Sequence, residues 1–243
     1  MNSSTETAPP SRSNRPVLVV MAKAPRPGRV KTRLIPSLSP DTVTDFYRCL
    51  LNDTLALALS LNGVDVAIMC PALDVNDLAQ LAGQNVCVIS QSGEGLAAGL
   101  TSVFRHFTDG NQRSTIAFNS DSPHLPRSVL EAAFAALAAH DIVIGPTFDG
   151  GYYLIGAKAS YPALFVRDDM GTNTALETLL SRARELALSI SFVDTFYDID
   201  LAEDMTRLAA ELQSAPSRAP RTAEWLKKWQ SRTRPGNAAP GEL

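Results

Sequence analysis

Cysteine, excess charge and long apolar runs are all scarce in this sequence, and each shortage removes a class of protein. The three cysteines, Cys49, Cys70 and Cys87, stand too far apart for a CxxC redox pair or a zinc cluster. They read as small buried hydrophobes in a reducing compartment. A formal charge of −3 and a pI of about 5.6 leave no broad cationic surface for nucleic acid or an anionic membrane, so any basic site must be local. No run approaches the roughly 20 apolar residues of a membrane span, and the polar segment 1–15 has no apolar stretch of the signal-peptide kind. The expected setting is cytoplasmic, with no membrane and no nucleic-acid partner.

What is present is enough apolar material for one large core: 45% of 243 residues are hydrophobic. Residues 1–15, rich in Ser, Thr, Asn and Pro, are expected to form a disordered tail. Residues 16–213 are expected to form one domain, and 214–243 a tail in which Trp225, Leu226 and Trp229 form a short helix against the body. Inside the domain, short apolar runs such as 17–21, 64–69, 86–89, 115–119 and 142–145 alternate with segments of helical period, the first carried by Val43, Phe46, Leu50, Thr54, Leu57 and Leu61. Pro126 suits a helical first turn, and Thr174 with Glu177 has capping-box spacing. Such alternation predicts a mostly parallel α/β sheet with helices on both faces, whose ligands sit beyond the carboxyl ends of the strands.

The loops at those ends therefore carry the functional signal. The first, M-A-K-A-P-R-P-G-R-V-K-T-R-L, holds Lys23, Arg26, Arg29, Lys31 and Arg33 with no acidic residue among them, while Pro25, Pro27 and Gly28 shape its backbone. Ammonium and forked guanidinium groups after a first strand suit a di- or triphosphate, although neither a GxxxxGK[ST] nor a GxGxxG pattern is present. Asp121, in S-D-S-P-H-L-P at the end of the 115–119 strand, is a hard oxygen donor suited to Mg2+ or Mn2+, or else a turn residue, and His124 is a neighbour that shapes that turn. Asp149, Gly150, Gly151 and Tyr152 form a turn in which Asp149 takes a proton from an acceptor hydroxyl, Tyr152 stacks on it and the glycines permit close approach; a plain Asp-Gly-Gly hairpin explains the same residues. Asp198 and Asp200, alternate residues of one extended segment, complete a metal site with Asp121, or Asp200 caps the last helix together with Glu203.

Taken together and in this order, K-A-P-R-P-G-R-V-K-T-R-L, N-S-D-S-P-H-L-P, G-P-T-F-D-G-G-Y-Y-L-I-G and D-I-D-L-A-E-D-M resemble the signatures of GT-A-fold transferases, in particular the arsenosugar-biosynthesis-type glycosyltransferase branch, over about residues 17–211. The chain also resembles 2-phospholactate guanylyltransferases through K-T-R-L, G-E-G-L-A-A-G-L and D-I-D-L-A-E-D. The resemblance implies a GT-A three-layer sandwich, a nucleotide on the first loop with Gly93 and Gly95 near its base, a divalent cation on the acidic turn and an acceptor against residues 149–153. Met170-Gly171-Thr172 stands where that branch usually carries Trp-Ser-Thr, which leaves the acceptor open. Three functions follow in order: glycosyl transfer from a nucleotide sugar to a small acceptor, nucleotidyl transfer from a nucleoside triphosphate to a phosphorylated acceptor with release of pyrophosphate, and nucleotide binding without turnover.

Overall fold

In the computed structural model, residues 14–109, 113–166 and 173–233 are described. The Met170-Gly171-Thr172 departure, nearly all of the 1–15 segment and residues 234–243 lie outside the described residues. Seven strands, β1 (Val17–Met21), β2 (Asp65–Cys70), β3 (Cys87–Ser90), β4 (Thr115–Asn119), β5 (Ile142–Pro146), β6 (Tyr152–Ala157) and β7 (Ile190–Phe192), form one sheet in the order β3-β2-β1-β4-β6-β5-β7. All neighbours are parallel except β6, which runs antiparallel to β4 and β5. This is the expected α/β fold with a mostly parallel sheet.

The alternation of side chains along each strand divides the core. Leu18, Val20, Ile68 and Phe118 face α1 (Pro40–Leu59), α2 (Val75–Ala82) and α4 (Arg127–Ala139). Val17, Val19, Met69 and Ala117 face α3 (Gly95–Thr108) and α5 (Ala175–Glu185). Both faces of the central strands are covered, which is why their sequences are continuous apolar runs. A third cluster joins α1 to α6 (Ala202–Ser214) and α7 (Pro220–Thr233), with Phe46 and Trp225 rings 4.7 Å apart and Leu226 buried. The folded body therefore continues past residue 213 through α7.

Four local expectations need correction. Pro126 is the N-cap of α4 and precedes its first turn. Thr174 is the N-cap of α5, but its side chain makes no capping bond, so the box with Glu177 does not form. Leu201, and not Asp200, occupies the N-cap of α6; Asp204 accepts from the backbone N–H groups of Asp200 and Leu201 at 2.9 and 2.7 Å, so Glu203 takes no part. Of the cysteines, Cys70 is buried, Cys49 half-buried and Cys87 exposed.

Candidate active site at the carboxyl end of the sheet

From β1 the chain passes through α1 to β2 on one side, while β4 pairs on the other side of β1. A crevice opens beyond the carboxyl ends of strands at such a reversal. The loops after β1, β3 and β4 and the segment after β7 meet that end. The antiparallel β5–β6 turn returns there too, since Leu154 pairs with Phe118.

The loop after β1 turns at Gly28, whose φ of 72° is in the left-handed region, and enters a short 3-10 turn, Thr32–Leu34. Lys31 precedes that turn with φ 45° and ψ 43°, a left-handed conformation that costs a non-glycine residue roughly 1–2 kcal/mol. It aims the Lys31 ammonium inward: the side chain is only 7% exposed and ion-pairs with both Asp121 and Asp200, the latter at 2.9 Å. Arg33 reaches the other oxygen of Asp200 at 3.0 Å. Burial alone would lower the Lys31 pKa, but the Asp121 and Asp200 carboxylates outweigh it and raise it. Asp200 shows the converse: burial pushes its pKa up, yet Lys31 and Arg33 bring it below the ordinary value.

Asp198 sits deeper. It accepts from Asn119 Nδ2 at 2.7 Å and Ser122 Oγ at 3.3 Å, and burial first, then the Asp121 charge, raises its pKa well above the carboxylate range. Asn119 Oδ1 is buried with no hydrogen-bond partner among the described residues. Asp121, Asp198 and Asp200, and beside them the orphaned Asn119 amide oxygen, are hard oxygen donors of the kind such cations choose. Among the described residues, no three acidic, His or Cys side chains converge as a ready-made cation site. The Lys31 ammonium lies between two of the three carboxylates instead. By chemistry these oxygens suit Mg2+ or Mn2+, and Asp121 and Asp200 would have to exchange the ammonium to hold one.

The rest of the basic loop is divided. Arg26 is clamped to α2 and the turn before it, by Asp74 at 2.7 Å, Asp77 at 2.7 and 3.1 Å and the Leu73 carbonyl at 2.9 Å. Its pairing was invisible in the sequence because the partners lie about fifty residues on. Asp74 also accepts from the Ala24 N–H at 3.0 Å, so this clamp fixes the path of the loop. Lys23 and Arg29 are exposed and have no carboxylate partner among the described residues.

Gly93 and Gly95 have φ of 86° and 81° and flank Glu94, the N-cap of α3. Their carbonyls accept from Gln91 Nε2 at 2.9 and 3.2 Å, tying the loop to the end of β3. On the β5–β6 turn, Asp149 Oδ1 accepts from Thr147 Oγ1 at 2.5 Å and from the Gly151 N–H at 3.2 Å, while Asp149 remains exposed. Gly150 has φ of 91°, and its carbonyl accepts from the Leu176 N–H in the first turn of α5. Asp149, Gly150 and Gly151 thus build the turn, and Oδ2 of Asp149 carries no hydrogen bond among the described residues.

Several residues that organise the site went unread in the sequence. Tyr47 of α1 lies 2.9 Å from Ser120 Oγ, accepts from the Lys23 N–H and donates to the Lys23 carbonyl, both at 3.3 Å. Thr54 Oγ1 donates to the Ser120 carbonyl at 3.2 Å. One helix thereby ties the basic loop to the acidic turn. The available signal was a hydroxyl-bearing aromatic one residue after Phe46, inside the apolar stripe. Asn119, as the donor to Asp198, was legible only as the residue that ends β4.

Against known proteins, residues 54–172 match the profile of a family described as "Uncharacterized protein conserved in bacteria (DUF2064)". That stretch contains the acidic and glycine turns and excludes the basic loop and the late aspartates. A candidate nucleotide-diphospho-sugar transferase from Desulfovibrio desulfuricans G20 superposes with a TM-score of 0.80 at 26% identity, covering 88% of this chain and 95% of its own. Two structures share the fold at lower identity. A nucleotidyl transferase from Methanothermobacter thermautotroptrophicus has a TM-score of 0.55 at 15% identity, covering 83% of this chain and 99% of its own. A 4-diphosphocytidyl-2C-methyl-D-erythritol synthase from Anaerococcus prevotii DSM 20548 has 0.54 at 13%, covering 82% and 97%. No curated protein matches the chain. Among the described residues no helix is long and apolar enough to cross a membrane.

Proposed function

We propose that this chain is a nucleotide-dependent transferase that moves a glycosyl group from a nucleotide sugar to a small acceptor, assisted by a divalent cation. The observation that carries the reading is the meeting of the cationic loop after β1 with Asp121 and Asp200 beyond β4 and β7, at the reversal point of the sheet. The 26%-identical relative, itself a candidate nucleotide-diphospho-sugar transferase, supports the same class. The resemblance of four motifs to the signatures of the arsenosugar-biosynthesis-type branch supports glycosyl transfer as its finer form.

Asp121, Asp198 and Asp200 are the residues that would hold Mg2+ or Mn2+, and such an ion supplies charge neutralisation on the leaving diphosphate. The protein's own groups do the rest. Lys23, Lys31 and Arg33 share that charge, and each preorganised donor of this kind is commonly worth ~3 kcal/mol in a transition state. The loop at Gly93 and Gly95 lets backbone approach the nucleotide base. Asp149, with Oδ1 held by Thr147 and Gly151, takes the acceptor's proton on Oδ2 if displacement inverts the sugar, and Gly150, Gly151 and Tyr152 border the acceptor.

A thermal-shift screen with Mg2+ or Mn2+ tests this directly, because a ligand of the native state raises the melting temperature. Stabilisation by a nucleotide sugar or its diphosphate is expected. Stabilisation by a nucleoside triphosphate with none by any nucleotide sugar would replace glycosyl by nucleotidyl transfer, and no response to any nucleotide would sink both. With the donor identified, Asp121→Ala is expected to cut turnover by roughly a hundredfold or more with an unchanged circular dichroism spectrum. Full activity in that variant would remove Asp121 from the chemistry.

A further inference from the structure

The basic loop carries five cations, yet the most buried of them faces carboxylates and not the crevice. Lys31 is 7% exposed, pairs with Asp121 and Asp200, and reaches them from a left-handed backbone that lysine seldom adopts. An ammonium held between two carboxylates stands where a divalent ion bridging the same oxygens would stand. We infer that Lys31 is a displaceable internal counter-ion, occupying the cation position between Asp121 and Asp200 until a divalent ion takes those carboxylates. The inference rests on the proposed role of the three aspartates as a cation site.

The surroundings suit an exchange. An ammonium and a divalent ion repel each other at contact distance, so both cannot sit between the same two carboxylates. Asp200 keeps Arg33 as a partner when Lys31 leaves, and Asp198 is held by Asn119 and Ser122, independently of Lys31. Two of the three donors therefore stay in place while one side chain moves. The lysine stem is flexible and its charge compact, so its ammonium can pass to phosphate oxygens arriving with the ion. Cation and diphosphate then enter together: the ion alone must evict Lys31 into water, whereas the ion with a diphosphate offers it a new anion. The site stays electrically neutralised between turnovers and discriminates against bare metal.

Manganese alone, titrated into the full chain and followed by the electron paramagnetic resonance signal of free Mn2+, tests the exchange without any turnover. Lys31→Met is expected to bind Mn2+ at least tenfold more tightly than the unaltered chain, since the ion no longer competes with an ammonium. Equal or weaker binding, or binding by neither protein, would overturn the inference. The unaltered chain gives a second measurement that needs no variant to fold. Brief acetylation read by mass spectrometry is expected to modify Lys31 far more slowly than exposed Lys23 without metal, and to speed up at Lys31 when Mn2+ is added at saturation. Lys31 modified as fast as Lys23 without metal, or unchanged by bound Mn2+, would refute the exchange. If Lys31→Met binds Mn2+ tightly while no nucleotide stabilises the protein, the transferase reading falls and the counter-ion role stands. The reverse pattern separates them the other way.

Discussion

His124 is 1% exposed, and neither ring nitrogen has a hydrogen-bond partner among the described residues. Its ring packs against Tyr197, with centroids 4.6 Å apart, and burial first, then Arg207 and Arg218, lowers its pKa to about 4. The unfolded chain, titrating near 6.5, binds this proton more readily than the folded one, so His124 adds stability above pH 6.5 that drains away as pH falls toward 4. That difference amounts to about 3 kcal/mol. Chemical denaturation between pH 3 and 8 should therefore show a steeper acid loss in the unaltered protein than in His124→Leu. Parallel curves for the two would mean that the ring is hydrated or paired in solution. The sequence pointed to His124 as a shaper of the acidic turn, but its burial and neighbouring arginines are tertiary facts, set by residues more than seventy positions away.

At the scale of elements, most of the sheet was legible because its strands are covered on both faces and so appear as unbroken apolar runs. β4 occupies the run read as 115–119. The direction of β6 was legible only through the hairpin reading of the Asp-Gly-Gly turn, since apolar composition is the same for a strand in either sense; the short turn from Thr147 to Gly151 reverses it. The same turn braces α5. A Cβ at Gly150 would overlap the carbonyl of Asn173, and its φ of 91° already disfavours a side chain. Gly150→Ala is expected to cost about 2 kcal/mol or more, read as a fall in the denaturation midpoint. An unshifted midpoint would mean that turn and helix yield independently. Arg26 teaches a related lesson: local absence of acid in the sequence suggested five cations for one anion, whereas folding commits Arg26 to Asp74 and Asp77. Sequence distance conceals such pairings, and the residues that remained legible were those whose role is local, such as Gly28 and Gly93 with positive φ.

At the scale of the molecule, the third core cluster links regions far apart in the chain: Leu34, Val43, Phe46 and Leu50 with Tyr197, Ile199, Leu208 and Leu226. Asp53, fully buried on α1, accepts from the Thr222 N–H at 2.8 Å and so caps α7. Asp53→Ala is expected to cost about 2 kcal/mol, as lost charge-assisted caps do. Melting should stay a single cooperative transition, because α1 belongs to two core clusters at once. A separate early transition for α7 by site-specific probes would refute that coupling. The cluster also underlies the candidate site. Leu34 ends the short turn that contains Arg33 and that Lys31 precedes, and Ile199 lies between Asp198 and Asp200. Residues 34–50 leave the ribosome long before 197–226 exist, so the earlier half must wait with an apolar helix face uncovered. The pocket where the charges meet is thus among the last parts of the protein to be born, and Lys31 has no Asp200 to pair with until that late segment emerges.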